Sequence, residues 1–598
     1  MYQYTSHDQQ MVRERASQYR DQLQRNLTGH LTDDDFKPLR LQNGWYIQRY
    51  APMLRVAVPY GEISSQQLRV LARIAREYDQ PDAALFEKAQ HKQNAISDFP
   101  APSLKKGHAH FTTRQNVQFN WIPLHLSADV MDVLASVNMH GIQTSGNCIR
   151  NITSDELAGI AIDEVADPRP FAEILRQWST FHPEFAFLPR KFKIAITGAT
   201  EDRAASAWHD VGLQLIKNDA DELGFRVLVG GGMGRTPVIG TVIREFLPWH
   251  QIINFLEAVV RVYNRWGRRD NIYKARIKIL VKAEGQRYID EVEEEYKFII
   301  SQDGAPHTIT QQELDRVSAS FVAPEPNKTH LSVDAKVQRI LDVSAKDDLE
   351  FARWVQQNVA PHKNPALRAV TLSFKRLGLA PGDATAEQLE QAAQLADQYS
   401  SGEARVTHDQ NLLLPWVSCE ELTQLWRDAR KAGLAKANIG LLTDMIACPG
   451  GDYCALANAR ALPIAAAISE RYNDIDELFD IGEIDLHISG CINSCGHHHS
   501  GHIGILGVDK DGQEWYQVTL GGSDGSTLSG TPKPGKVVGP SFAAAEVVGV
   551  IEAVLDTYAQ QRVAKETFMQ TLQRLGIDIF KTAANSARLT TGASHLLS

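Results

Sequence analysis

Four of the six cysteines in this 598-residue chain, Cys448, Cys454, Cys491 and Cys495, fall within one short window. Five residues separate the first pair, three the second, and 36 lie between the pairs. Gly450, Gly451, Gly490 and Gly496 flank them, which suits backbone wrapped closely around a bulky inorganic centre. Such thiols could form disulfides, hold a structural zinc or carry an iron–sulfur cluster. Disulfides fit poorly, because the chain is cysteine-poor and opens without a secretory signal. Zinc loops favour spacings of two to four residues, and His497, His498 and His499, directly after Cys495, could add ligands. Four thiolates at irregular spacing in glycine-rich loops suit a cluster. Spacing leaves zinc and cluster both open.

A second chemical stretch reads Phe187-Leu-Pro-Arg-Lys-Phe-Lys-Ile-Ala-Ile-Thr. In a strand, residues two apart share a face, so Lys191 and Lys193 project together. Adjacent ammonium groups repel unless they face solvent or an anion. A solvated strand edge is the bland alternative.

C-x5-C followed by C-x-N-x-C-G resembles the signature of the sulfite and nitrite reductases that carry sirohaem and a [4Fe-4S] cluster. The resemblance covers most of residues 40 to 560 and is nearest to the haemoprotein subunit of sulfite reductase. It implies that Cys448, Cys454, Cys491 and Cys495 hold the cluster, with Cys495 bridging it to the sirohaem iron. The segment L-P-R-K-F-K resembles the family's substrate-anion segment, which makes Lys191 and Lys193 catalytic, joined by Arg55 in M-L-R-V and Arg150 in N-C-I-R-N. Four cations suit a dianionic oxyanion, and lysine is the more plausible proton donor because its pKa shifts readily on burial. Arg114, Gln118, Arg190, Gln410, Asn493 and the loop Gly230, Gly231, Gly232 stand at the family's sirohaem contacts. His110 stands where some sulfite reductases have an arginine. Of the other thiols, Cys419 reads as structural at a helix start, and Cys148, two residues before Arg150, could face the pocket but reads first as a small buried hydrophobe. The three histidines read as a surface run.

The implied activity is assimilatory reduction of sulfite to sulfide with six electrons. The alternatives are a nitrite reductase of the same family, whose members usually carry asparagine at position 193, and a zinc-stabilised, non-catalytic anion-binding protein. There is no G-x-G-x-x-G opening a helix after a strand and no P-loop. Electrons are therefore expected from a partner, a flavoprotein or a ferredoxin.

These groups need elements to position them. A strand is expected over Asp485 to Gly490 and an Ala-rich helix over 455 to 470. Upstream, a strand at Met53, a helix over Ser64 to Tyr78 and a strand over His110 to Trp121 precede a similar series at Leu367 to Phe374, Thr385 to Tyr399 and Ala404 to Trp416. R-Q-N-V-Q-F-N-W at 114–121 aligns with D-Q-N-L-L-L-P-W at 409–416, so an internal duplication is expected. The fold class is α/β (α+β): two ferredoxin-like half-domains and two related α/β domains holding the cofactors. Domain boundaries are set at an N-terminal arm 1–50, a half-domain 51–128 with an inserted loop 86–107, an α/β domain 129–330, a linker and second half-domain 331–436, a cluster domain 437–562 and a surface tail 563–598. In the first α/β domain, strands are expected over Lys193 to Thr197 and Phe225 to Val229, and helices over Ala204 to Leu223, Ile239 to Asn264 and Ile289 to Ser301. The cluster domain adds the strand Ile503 to Val508 and a helix near Ala543 to Tyr558. The arm holds a helix near Met11 to Leu27, and Pro324 to Lys328 reads as a linker.

A formal net charge of −10 argues against general nucleic-acid binding but permits a local basic pocket. An apolar fraction of 43%, no long apolar run and a polar start predict a cytoplasmic globular protein without membrane or nucleic-acid partners.

Overall fold

The computed structural model describes residues 1–94, 104–302, 305–324, 341–342, 346, 348–526 and 528–595. Most of the expected linker and part of the inserted loop lie outside these residues.

The two half-domains exchange a strand. The first sheet runs Trp45–Ile47, Pro52–Val56, Val117–Phe119, His108–Phe111 and then Asp383–Thr385, borrowed from the second repeat. The second runs Val359–Pro361, Leu367–Leu372, Leu412–Ser418, Glu403–Val406 and then Glu62–Ser64, borrowed from the first. The helices Ser65–Glu77 and Ala386–Tyr399 follow the borrowed strands and pack together. Each opens with a capping box, Ser64 with Gln67 and Thr385 with Gln388, which satisfies two of its free N–H groups. One hydrophobic core spans both half-domains and takes in Val12, Tyr19 and Leu23 of the N-terminal helix Ser6–Leu27.

Each α/β domain is built on a sheet of common topology. In the first, Thr153–Ser154, Ile194–Thr197 and Val211–Lys217 run parallel, and Leu223–Val229 and Thr241–Pro248 return antiparallel. In the second, Ile446–Ala447, Leu486–Ser489 and Ile503–Lys510 run parallel, and Gln513–Leu520 returns antiparallel.

Several expected elements differ. Ala204 to Leu223 is a short 3-10 turn and the strand Val211–Lys217, because Val211, Leu213 and Leu215 alternate into the core. Ile239 to Asn264 splits into the strand Thr241–Pro248 and the helix Ile252–Trp266. His110 to Trp121 and Ala404 to Trp416 are each a hairpin, not one strand. The Ala-rich helix begins at Leu462, after an irregular stretch from Cys454. The expected inserted loop begins inside a helix, Ala83–Asn94, which takes in residues 86–94 of it. The C-terminal residues form the helices Phe568–Leu575 and Asp578–His595, which bury Phe568, Phe580 and Ala584. No helix among the described residues is long and apolar enough to cross a membrane.

Candidate active site

The half-domain hairpins are fixed to the α/β sheets by the glutamine that both repeats share. Gln115 and Gln410 sit at the hairpin turns with φ of 54° and 62°. Gln115 donates to the Ser154 carbonyl at 2.9 Å and accepts from the Ser154 N–H at 3.0 Å. Gln410 makes the same pair with Ala447, at 3.0 Å each way, and also donates to the Phe111 carbonyl at 2.9 Å. Its amide N–H groups are therefore engaged by backbone, so Gln410 forms wall rather than a free donor.

Cys448 directly follows the strand Ile446–Ala447, and Cys454 follows the single turn Gly450–Tyr453. Cys491 follows the strand Leu486–Ser489 after Gly490, and Cys495 lies in the next turn. A Cβ on Gly490 would sit 2.5 Å from the Ala459 carbonyl oxygen and 2.7 Å from Gly450 Cα, so the two cysteine loops approach as closely as backbone allows. The Gly490 N–H donates to Cys448 Sγ at 3.2 Å. All four sulfur-bearing residues line one cavity of about 710 Å³. Burial pushes the thiols of Cys448, Cys454 and Cys491 up, so they favour the thiolate only when a metal shares the charge.

The same cavity is lined by Arg55, Arg150, Arg190, Lys191, Gln118 and Asn493. A smaller cavity of about 100 Å³ shares Arg55, Gln118, Arg150, Lys191, Asn493, Cys448 and Cys495 with it and adds Arg114, Lys193, His110, Gln410 and His497. The cations are held by neutral groups. Arg150 donates to the Thr144 and Gly146 carbonyls at 2.7 Å. Arg114 donates to the Asn151 carbonyl at 2.7 Å and Thr153 Oγ1 at 3.0 Å, and Arg55 donates to Gln118 Oε1 at 3.0 Å. Among the described residues, none of Arg55, Arg114, Arg150, Lys191 and Lys193 makes an ion pair with a carboxylate. Burial lowers the Lys191 pKa to about 8, despite the opposing pull of Cys495. Burial, Arg114 and Lys191 push the Lys193 pKa well below its ordinary value, against the pull of Asp210. Such a set is costly unless an anion completes it.

Other expected positions fall differently. Gly230, Gly231 and Gly232 line neither cavity: Arg276 packs on Gly232, and the buried Lys278 ammonium donates to the Gly232, Met233 and Thr236 carbonyls. Cys148 lines the larger cavity, its thiol directed at the Ser145 carbonyl at 3.1 Å, rather than filling core. Cys419 is buried in the half-domain core. The histidines are not a surface run, since His498 is buried, His497 lines the smaller cavity and His499 bonds the Gly234 carbonyl oxygen at 2.9 Å. His110 is held by Asp383 through Nδ1 at 2.8 Å.

Two family models match the chain. The nitrite and sulphite reductase 4Fe-4S domain matches residues 145–299 and 441–591, about half of the sequence. The chain belongs to the nitrite and sulphite reductase family. The ferredoxin-like half domain of nitrite/sulfite reductases matches residues 48–85 and 371–432. The chain is 26% identical over 537 residues to an assimilatory ferredoxin-dependent nitrite reductase of Haloferax mediterranei, covering 88% of this chain and 82% of that protein. It is 28% identical over 472 residues to sulfite reductase [ferredoxin] 1 of Mycolicibacterium paratuberculosis, covering 77% and 75%. The solved structure of the Mycobacterium tuberculosis NirA protein has the same fold, with a TM-score of 0.69, 24% identity and 92% of each chain covered.

A sirohaem and a [4Fe-4S] cluster are therefore this chain's cofactors. The residues fit them. Four thiols face one cavity, and five cations without carboxylate partners suit a macrocycle rich in carboxylates. Among the described residues, no three His, Cys, Asp or Glu are grouped to hold a single metal ion.

Tyr46 of the strand Trp45–Ile47 is a cavity residue that the sequence reading missed. Its ring lies under the Arg55 guanidinium at 5.6 Å, and Arg150 and Arg55 outweigh burial to lower its pKa to about 8. Its only sequence signal is proximity to Arg55, since Tyr46 pairs with Met53 on the adjoining strand.

Proposed function

We propose that this chain is a sulfite reductase that takes sulfite to sulfide with six electrons, and that nitrite is the lesser substrate. The observation that carries the reading is the pair Lys191 and Lys193, both lining the smaller cavity beside Arg55, Arg114 and Arg150, and among the described residues neither lysine makes an ion pair with a carboxylate, although Asp210 accepts from the Lys193 backbone N–H at 2.9 Å. Sulfite is a dianion that sheds three oxygens as water, so its reduction needs both charge compensation and repeated proton delivery at oxygen. Arg55 and Arg150 orient the anion through charge-assisted hydrogen bonds. Lys191, with its pKa near 8, gives and regains a proton close to neutral pH, and Lys193 shares that work. When bound, the sirohaem supplies an iron for the substrate and the cluster relays single electrons to it. Cys448, Cys454, Cys491 and Cys495 would hold the cluster, with Cys495 shared between the two centres.

Relatives named ferredoxin-dependent support a small iron–sulfur protein as the electron donor. Steady-state kinetics of the loaded enzyme with reduced ferredoxin, on sulfite and nitrite in parallel, test the proposal. A higher kcat/KM for sulfite is expected. A preference for nitrite would overturn the assignment and favour the nitrite reading that other relatives carry.

A further inference from the structure

The half-domain repeats differ most at one connection. In the second repeat, Ser400, Ser401 and Gly402 alone join the helix Ala386–Tyr399 to the strand Glu403–Val406. In the first, the corresponding connection runs from Tyr78 to Gly107. The family's half-domain model follows the second repeat through to residue 432 but leaves the first at residue 85.

The extra segment crosses to the cysteine-bearing domain. Ala89 of its helix Ala83–Asn94, and Leu104 beyond it, join that domain's hydrophobic core together with Trp121 and Tyr453. Phe86 packs edge-on against Trp121 at 5.3 Å, and Trp121 edge-on against Tyr453 at 5.8 Å. The Lys105 carbonyl accepts from the Tyr453 hydroxyl at 3.1 Å and from the Trp121 indole at 2.7 Å, and its N–H donates to the same hydroxyl at 3.2 Å. The Gln93 amide donates to Asp452 Oδ1 at 2.6 Å, with both side chains buried. Asp452 and Tyr453 are the two residues before Cys454, in the single turn that joins it to Cys448.

We propose that this segment is a clamp on the loop between Cys448 and Cys454, positioning both thiolates and slowing loss of iron from the cluster. The proposal rests on those two cysteines being cluster ligands. Gln93 and Tyr453 are positioning residues that act through the loop. The Gln93 bond is buried and the Tyr453 bonds are partly buried, so losing either weakens the hold on the loop and lets it open more often.

The test is iron release from the holoenzyme to a chelator, followed by loss of cluster absorbance well below the unfolding temperature. The cluster's midpoint potential is measured alongside. Gln93→Leu and Tyr453→Phe should each speed release by about three- to tenfold, the scale of one lost hydrogen bond. The double variant should be faster than either. A wild-type release rate and potential in both single variants, with only the melting temperature lowered, would overturn the clamp. If Tyr453→Phe does not fold, Gln93→Leu decides alone. Cys454→Ser separates the two readings. A cluster retained normally in Cys454→Ser overturns the ligand assignment and the clamp with it, whereas a cluster lost there but released normally from Gln93→Leu overturns only the clamp.

Discussion

The two α/β domains share a backbone plan and carry opposite chemistry. Ile194 lies opposite Val211 in one sheet as Leu486 lies opposite Ile503 in the other. Thr153 lies opposite Ala195 as Ile446 lies opposite His487. The helices that follow, Arg169–Ser179 and Leu462–Arg471, both carry proline in second place. By this register Asp155 is the counterpart of Cys448, Ala161 of Cys454, Ala199 of Cys491 and Arg203 of Cys495. Even irregular backbone is repeated, since Ala205 and His497 are counterparts with φ of 48° and 56°. Where the second domain gathers thiols, the first closes the space with an ion pair, Arg203 to Asp155 at 2.8 Å, braced by Asp163 and Glu201 at 2.9 Å.

The inversion also runs the other way. Lys191 and Lys193 correspond to Glu483 and Asp485, and the hairpins match Arg114 with Asp409. Burial and the nearby Asp524 raise the Asp485 pKa to about 7, so that carboxyl is held partly neutral while its lysine counterpart lines the smaller cavity, the proposed anion site. The duplicated scaffold thus offers two equivalent places, and the choice of charge decides which becomes the site.

Moving a residue from one domain to its counterpart is the sharpest way to break this comparison. Cys448→Asp gives the cluster loop the residue of its twin. The cluster should be lost and reduction of sulfite and nitrite should fall together by at least about 1000-fold, since a four-thiolate cluster with one hard ligand is not retained. Iron analysis checks it, with about four iron atoms per chain expected to disappear.

Lys193→Asp, again the twin's charge, should lower kcat/KM for sulfite by about 100-fold or more while sirohaem still loads. Arg55→Ala and Arg150→Ala, which each remove a charge-assisted hydrogen bond, should cost about 10- to 150-fold. Lys193→Asn sharpens the substrate question. A neutral amide should harm the dianion more than the monoanion, so the sulfite-to-nitrite ratio of kcat/KM should drop. An equal fall in both would show that Lys193 does not discriminate.

The duplication was legible because Gln115 and Gln410 perform one backbone-pairing task, and a task that fixes a residue leaves it readable. The cysteines and lysines stood out in the sequence because few residue types can do such chemistry, and the structure brings them to the two cavities. The strand Val211–Lys217 was misread as helix although its counterpart Ile503–Lys510 was read correctly. Its signal was the alternation Val211, Leu213, Leu215, obscured by the alanines and charges before it. Tyr46 and His498 were not legible as buried or cavity residues, because their surroundings come from segments distant in sequence. The surroundings of the Gly230 loop were not legible for a similar reason, since Lys278, which donates to its carbonyls, and Arg276, which packs on Gly232, lie at a helix start far downstream.

A moderate effect comes from pH. Lys191 carries its proton below about pH 8 and loses it above, sooner than an ordinary lysine would. Above about pH 8 sulfite itself no longer changes charge, so there kcat/KM for sulfite should fall by up to about tenfold per unit. Lys191→Arg keeps its charge at all these pH values, so it should flatten the fall while lowering the plateau. An unchanged profile in Lys191→Arg would assign the fall to another group.

The smallest effect on catalysis is expected in the twin of the cluster site. Asp155 is almost fully buried, and its counterpart Cys448 is a cluster ligand in the proposed reading. If the first domain's copy of the site is a structural plug, Asp155→Asn removes one charge from a network in which Arg203 keeps Asp163 and Glu201. The variant should lose about 1–3 kcal/mol of stability, the range for breaking one hydrogen bond to a charged group. Its melting temperature should fall by a few degrees, while cofactor content stays whole and kcat/KM stays within about twofold of wild type. The conserved topology alone makes no such distinction, because it places both loops at the ends of matching strands. A large loss of sirohaem or of turnover in Asp155→Asn, with the fold intact, would mean that both copies serve the reaction and that charge inversion did not retire the first.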